Sequence, residues 1–412
     1  MTDDGRAEDL WREAAPRVLA RLVRRYGSGR FDLCEDAVQE ALLDAYRQWP
    51  SGLPDDPLGW LTSTARRRYV DRVRSDTRRR DREERAVRLD APVHPPVHPE
   101  AAERDDSLLV LQLCCHPELP RSGRVALTLR AVAGLSTAQI AGVYQVPERT
   151  IAQRITRAKR ALAAVGRALP RPEHAAERLT SVLDVLYVMF TEAHHTTGGS
   201  PPRDADLAAE AIRLGRALRL SLPDSAEVAG LLALMLLTEA RQPARIGRGG
   251  VLRPLDEQDR SLWDRALIDE GTALVERTVP GVDPGPYLLQ ACIAAVHADA
   301  PDTDRTDWHE ILVLYRLLEA VTGHANPTIA LNRIVAHAMV HGDTAGLAAL
   351  GELDAASPGL PRLDAVRAHL LERSGRADEA VAAYRRAIAA ADNLAEQRHL
   401  RDRMRRLAPG ED

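Results

Sequence analysis

The chain has 412 residues, enough for two or three domains rather than a single core, and its 45% hydrophobic content allows a sizeable interior. Aromatics make up only 4%, and Ala, Leu and Arg dominate, which favours helix and disfavours an all-β architecture. The net charge of -4 hides an asymmetry: residues 1–171 carry +6 and residues 172–412 carry -10, so a polyanionic partner suits the front of the chain alone.

Four cysteines, two of them adjacent (Cys114 and Cys115), do not make a disulfide framework. No apolar run reaches the roughly 18 residues of a membrane span, and the opening MTDDGRAEDLWREAAP is too acidic for a signal peptide. A soluble cytoplasmic protein is the default expectation.

In chain order, residues 8–85 read as helices. Leu33, Ala37, Val38, Ala41, Leu42, Ala45 and Trp49 recur at helical spacing, with Glu35, Asp36, Gln39, Glu40 and Asp44 largely outside that stripe. WPSGLPDDP breaks this helix, and a second one is expected to start near Pro57, a residue suited to a first turn. That helix turns strongly basic, with ten arginines against five acids between Arg66 and Arg85. It also carries Trp60 and Tyr69, and mixtures of cations and aromatics suit single-stranded nucleic acid. Trp60 is assigned to the core and the arginines to nucleic acid. Residues 86–107, with APVHPPVHPE, form a linker.

Helical patterning resumes over 108–167 and contains STAQIAGVYQVPERTIAQRITRAKRAL. Ser136 and Gln139 have capping-box spacing. Tyr144 to Val146 form a turn, Pro147 opens the next helix, and Ile151 and Ile155 point back toward Ile140 and Val143. Thr150, Gln153, Arg154 and Arg157 share the outer face of that second helix. Arg and Gln pair bidentately with base edges in the major groove, while Arg149, Lys159 and Arg160 sit where phosphates would be held. Gln145 occupies the turn position where glycine is common.

Residues 168–412 form a series of Ala/Leu-rich helices broken at TTGGSPP, LPDS, GRGG, VPGVDPGP, ANP and SPGLP. Ala368, Leu371, Gly375, Ala380, Tyr384 and Ala387 have the spacing of a tetratricopeptide unit, although any antiparallel helix pair can produce it. Cys114, Cys115 and His116 lack the spacer of a zinc site and are assigned to the core. Glu192, His194 and His195 are residue types that bind metal or sense pH, but a helix end before TTGGSPP is the preferred reading. Nothing matches a nucleophile elbow, a phosphate-cradling loop or a metal motif, so neither catalysis nor a cofactor is expected.

The runs DLCEDAVQEALLDAYRQW, ARRRYVDRVR, LCCHPELP and VALTLRAVAGLSTAQIAGVYQVPERTIAQRITRAKRAL together resemble bacterial extracytoplasmic-function sigma factors over roughly residues 8–165. The resemblance implies an all-α protein with sigma domain 2 at 8–85, sigma domain 4 at 108–167 and a regulatory extension at 168–412. It implies RNA polymerase core and promoter DNA as partners. By position, Asp36, Gln39, Glu40 and Asp44 would face polymerase, and the loop Ser51 to Asp56 would accept a flipped base. Arg66, Arg67, Asp71, Arg72 and Arg74 would lie along minus-ten DNA. Arg149, Thr150, Ala152, Gln153, Arg154, Thr156, Arg157 and Lys159 would serve the minus-thirty-five element. Arg67 stands where asparagine is common.

The extension resembles that of one sigma-factor subgroup, usually described as tetratricopeptide-like, except that FTEAHH replaces its usual Asn-Glu-Gly-Tyr. An intramolecular contact between extension and sigma domains is a further expectation, and the dense charge of LDEQDRSLWDR suits either a contact with the sigma domains or polymerase or a salt-bridged surface helix. The rival reading is a one-component helix-turn-helix regulator with a helical sensor domain, which leaves residues 8–85 unexplained.

Overall fold

The computed structural model describes residues 3–49, 52–84, 107–144, 146–165, 175–195, 201–245, 253–323, 326–360, 362–391 and 394–407. Among the described residues every regular element is helical, as the composition predicts. The expected linker at 86–107 falls almost wholly outside them, as does Gln145. The contacts divide the chain into two compact units, residues 1–194 with 205–217, and residues 195–204 with 218–412.

In the first unit, α1 (Asp3–Tyr26), α2 (Phe31–Gln48) and α3 (Pro57–Glu84) pack against one another. The α2 stripe does as its spacing predicts: Ala37, Val38, Ala41, Ala45 and Trp49 are buried, joined by Phe31 and Cys34. Pro57 is the first residue of α3, and Asp56 caps it by accepting the Gly59 N–H at 2.9 Å. Tyr69 is buried, stacked on Tyr26 with ring centroids 3.8 Å apart, whereas Trp60 is half-buried, edge-on to Trp49.

Four further helices follow, α4 (Ser107–Cys114), α5 (Arg121–Ala131), α6 (Thr137–Val143) and α7 (Glu148–Val165). α5 packs on α4, α6 and α7, and α6 packs on α7. Cys114 and Cys115 are core residues here, and Cys115 Sγ lies 3.8 Å from the Thr128 hydroxyl. Burial pushes the Cys115 thiol up to about 12, so it is a protonated, unreactive packing group. Among the described residues no group of three or more His, Cys, Asp or Glu is placed to hold a metal ion.

α8 (Ala175–His195) belongs to the same unit. Arg124 of α5 donates to Ser181 at 2.7 Å, and to the carbonyls of Pro117 and Leu119 at 2.6 and 2.7 Å. Arg178 lies 3.3 Å from His116 Nε2. One guanidinium therefore ties the loop before α5 to α8. α9 (Pro201–Ser221) contributes to both units.

The second unit holds α10 (Ala226–Glu239), α11 (Gln242–Arg245), α12 (Arg265–Thr278), α13 (Pro286–Asp299), α14 (Trp308–Thr322), α15 (Pro327–His341), α16 (Asp343–Ala356), α17 (Leu363–Arg373), α18 (Ala377–Ala390) and α19 (Leu394–Leu407). α10 packs on α12 and α13, and from α12 onward each helix packs on the next. This succession is what helix-pair repeats produce. The tetratricopeptide-like spacing is realised at α17 and α18, where Ala368, Leu371, Ala380, Tyr384 and Ala387 form one buried cluster with Leu400. Gly375 takes a left-handed φ of 75° in the turn between them. Caps follow sequence logic. Ser225, Asp264, Asp307 and Asn326 each accept first-turn amides, and the Glu227 carboxylate accepts those of Tyr287 and Leu288 at 3.0 and 3.1 Å.

The charge-dense segment at 255–265 is two 3-10 turns, Leu255–Glu257 and Arg260–Leu262, leading into α12. Arg260 lies over the buried Trp263 ring and donates to the carbonyls of His297, at 2.6 Å, and Ala300. Asp259 is exposed and caps the second turn. His297, beside Arg241 and Arg260, has its pKa lowered to about 4, first by burial and then by those two cations.

The unfolded chain takes a proton at His297 near pH 6.5 and the folded chain only near pH 4. Stability is therefore complete above about pH 6.5 and falls with pH toward 4, by up to roughly 3 kcal/mol from this residue. His369 and His399, also lowered by burial, act in the same direction. Urea unfolding followed from pH 7 to 4.5 is expected to show this slope, and His297→Gln to remove its share; an unchanged slope would contradict the assignment.

Candidate nucleic-acid interface

The helix-turn-helix is built by local chemistry. Ser136 Oγ accepts the Gln139 amide at 3.1 Å, and Gln139 Oε1 accepts the Ser136 amide at 2.8 Å, so the capping box closes in both directions. The Val146 amide reaches back to the Ala141 carbonyl at 3.1 Å and ends α6. Ile140, Ala141, Ile151, Ile155, Ala158 and Leu162 are buried, which fixes which face of α7 is outward.

On that outward side Arg149, Ala152, Gln153, Thr156, Arg157 and Arg160 are exposed, and Thr150 and Arg154 are half-buried. Thr156 spends its hydroxyl proton on the Ala152 carbonyl at 2.8 Å. Lys159 is different. It turns to α2, where its ammonium contacts the Glu35 carboxylate and lies 3.6 Å from Asp32. Glu35, which the pattern placed largely outside the apolar stripe, is buried and also receives Arg130 at 3.3 Å.

The second basic surface lies on α3. Arg66, Arg67, Asp71, Arg72 and Arg74 are all exposed. Arg72 holds Asp36 at 2.9 Å and Glu40 at 2.6 Å, and Arg68 grips Asp44 through Nε and Nη2 at 2.8 and 2.6 Å. Asp44 is buried by that pair. Part of the acidic row of α2 therefore clamps α3, while Gln39 stays exposed. Arg30 Nη1 lies 3.5 Å from the Tyr69 hydroxyl.

Pattern reasoning passed over three apolar residues beside this surface. Leu43 is 56% exposed, Tyr46 60% and Leu53 56%. Leu43 and Tyr46 fall outside the apolar stripe of α2, which is the signal that could have found them. In the loop before α3, Gly52 and Leu53 are exposed, and Ser51 lies outside the described residues. At the end of α8, Glu192 is half-buried with its pKa raised by burial, and the side chains of His194 and His195 lie outside the description.

Two basic helical surfaces, one on a capped helix-turn-helix, define a DNA-binding transcription protein. Comparison with known proteins narrows the class. Residues 10–79 match sigma-70 region 2, residues 112–162 match sigma-70 region 4, and residues 178–279 match a family of unknown function, DUF6596. An uncharacterized protein of Rhizobium meliloti (strain 1021) is 39% identical over 424 residues, covering 99% of this chain and 97% of that protein. No solved structure matches.

The chain belongs to the sigma-70 family, as an extracytoplasmic-function-type sigma factor with a C-terminal extension. Its role is promoter recognition and transcription initiation, with RNA polymerase core and promoter DNA as partners. The one-component regulator reading is not favoured, because it has no use for region 2. Among the described residues no helix is long and apolar enough to cross a membrane.

Proposed function

We propose that this sigma factor divides promoter recognition between α7 and α3 and that residues 168–412 regulate it. On α7, Gln153 and Arg157 read base edges of the minus-thirty-five element with Thr150, Ala152, Arg154 and Thr156 beside them, and the exposed Arg149 and Arg160 hold phosphates, Lys159 being paired with Glu35. On α3, Arg66, Arg67, Asp71, Arg72 and Arg74 follow the minus-ten strand. The observation that carries this reading is the exposed, uniformly basic side of α7 opposite its buried Ile151, Ile155, Ala158 and Leu162.

Polymerase is met through α2, with Leu43 and Tyr46 supplying apolar contact and Asp36, Gln39 and Glu40 the polar rim; Asp44, expected there from the sequence, is buried against Arg68 and holds α2 to α3 instead. The pairing of Asp36 and Glu40 with Arg72 couples the two surfaces, so polymerase docking and minus-ten capture share one ion-pair network. The chain itself carries out no chemistry in this reading.

The extension acts through α8, whose Ser181 and Arg178 meet Arg124 and His116 of the helix-turn-helix domain. Run-off transcription with purified core polymerase on the DNA upstream of its own coding sequence tests the reading. Full-length chain is expected to give a discrete start site, and a chain ending at residue 217, which keeps α8, to give an altered yield. No start site with the full chain would remove the proposal. Equal yield from both would remove the regulatory part.

A further inference from the structure

In the second unit Arg333, Arg367 and Arg403, all half-buried, each meet a carboxylate. Arg333 lies 2.8 Å from Glu319, Arg367 lies 2.5 Å from Asp354, and Arg403 bridges Glu257 and Glu372, both at 2.9 Å. Three other half-buried arginines do not follow this pattern, although the back half of the chain has acids in surplus. Among the described residues no ion pair joins Arg241, Arg245 or Arg260 to a carboxylate. The charges that act on Arg241 are themselves cations, Arg245 and Arg260.

These cations are held in place. Arg241 follows α10, Arg260 sits in the second 3-10 turn, and the indole of Trp263 lies against both. The two guanidinium carbons stand 5.7 and 4.9 Å from the centroid of its ring. Trp263 belongs to a buried cluster with Leu237, Ala240, Ala244, Ile268 and Ala298, which gives the group a firm base. Buried Gln258 positions Arg241: its Nε2 donates to the Arg253 carbonyl at 3.0 Å, and its Oε1 accepts from Arg241 Nε at 3.4 Å. Arg260 Nη1 is fixed on the carbonyls of His297 and Ala300. Burial first, then Arg245 and Arg260, pulls Arg241 down to about 10, as expected of like charges gathered without a counter-ion.

The same group leaves three buried nitrogens unpartnered: Arg260 Nη2, the Trp263 indole N–H and His297 Nδ1, a donor in one of its neutral tautomers. Trp263 is only 4% exposed. Buried donors ordinarily find an acceptor, and buried cations a counter-charge. Both are lacking at one place. The donors come from three elements, the end of α10, the 3-10 turn and α13. A carboxylate is planar and suits a single fork, whereas a phosphate group presents tetrahedral oxygens to donors from several directions and carries up to two charges.

We propose that Arg241, Arg260, Trp263 and His297 form a binding site for a phosphate group in the second unit. The two guanidiniums supply the charge, and the indole and imidazole N–H groups fix the orientation. The site lies wholly within the second unit and stands independently of the sigma-factor reading. Within that reading, on which this use of it rests, it is where a phosphorylated small molecule acts on the regulatory extension.

The test is calorimetric titration of the full-length chain with inorganic phosphate, glycerol 3-phosphate and succinate, at one ionic strength set by sodium chloride. The basic faces of α3 and α7 also attract phosphate, so the site is read from variants. Wild type is expected to show a saturable phosphate site. Arg241→Gln should weaken it at least about tenfold, and Trp263→Phe, which keeps a ring but removes the N–H, by roughly three- to tenfold. Arg376→Gln, at an exposed pair with Glu379, should bind as wild type does. Arg260 is left intact because its Nη1 holds the end of α13. Circular dichroism and melting in chloride alone report whether each variant folds.

No saturable binding by wild type up to about 10 mM of either phosphate compound overturns the site. So does unchanged affinity in folded Arg241→Gln, and succinate binding more tightly than both phosphates overturns the choice of ligand. If Arg241→Gln fails to fold, Trp263→Phe decides, and equal affinity there overturns the site. The order of inorganic phosphate and the ester identifies the source of the phosphate, and either order supports the site. If the full chain gives no start site with core polymerase, the sigma-factor reading fails and the calorimetry still decides the site.

Discussion

Arg157→Ala is expected to reduce initiation at this protein's promoter by roughly ten- to a hundredfold at limiting protein, the 1–3 kcal/mol typical of a bidentate base contact. Arg157 is exposed one turn beyond exposed Gln153, on the side of α7 opposite Ile151, Ile155, Ala158 and Leu162. Truncating it removes no packing, and alanine is at least as good a helix former as arginine, so α7 itself should persist. The loss should be selective. Promoter variants altered at one position of the minus-thirty-five element, which wild type discriminates, should become nearly equivalent. Arg149→Ala, by contrast, should weaken all promoters alike and lower the slope of affinity against salt by about one. Arg157→Lys should recover phosphate attraction without base preference, since an ammonium lacks the planar fork. The measurement is run-off transcription by reconstituted holoenzyme on a promoter panel at two salt concentrations. A uniform loss across the panel would reassign Arg157 to the phosphate class.

The helix-turn-helix was legible because its determinants are local. Ser136 and Gln139 are three residues apart, Pro147 presets the next helix, and Ile151 and Ile155 follow within two turns. The α17–α18 pair was legible for the same reason: Ala368, Leu371, Ala380, Tyr384 and Ala387 have helical spacing around a glycine turn. Long-range charge pairing was not legible. Glu35 and Asp44 look like outward polar positions of α2, yet both are buried, because Arg130 and Arg68 arrive from 95 and 24 residues along the chain. A period of 3.6 distinguishes faces of a helix but not which face a distant guanidinium covers.

The segment 255–265 shows the same limit. Its charges suggest a free surface for a partner, but they divide their work. Arg260 is committed to the carbonyls of His297 and Ala300, and Glu257 to Arg403 at 2.9 Å, 146 residues away. Removing Arg260 would disturb the interior of the second unit whatever the segment binds, so Asp259, which is exposed, is the position at which a partner contact could be tested.

Gly230→Ala is expected to destabilise the second unit by about 2 kcal/mol, although the same change in an open helix stabilises. Gly230 lies in α10 where α13 crosses it, and a Cβ there would stand 2.5 Å from both the Cα and the amide nitrogen of Leu288. These are backbone atoms, so no rotamer change relieves the overlap; the two helices must move apart. That movement loosens Leu288 and Leu231, both now buried, and pulls the amides of Tyr287 and Leu288 away from the Glu227 carboxylate that caps α13. The gain in helix propensity, up to about 1 kcal/mol, is smaller than the packing and capping lost. Gly351 in α16 supplies the comparison: it is exposed, and a Cβ there meets nothing within 4 Å. Gly351→Ala should therefore stabilise by about 0.5–1 kcal/mol, and the two variants should shift the melting temperature of the second unit in opposite directions, by roughly 4–8 °C down and 1–4 °C up. Calorimetry on the full chain reads both. A neutral or stabilising Gly230→Ala would mean that α10 and α13 do not approach as closely as described.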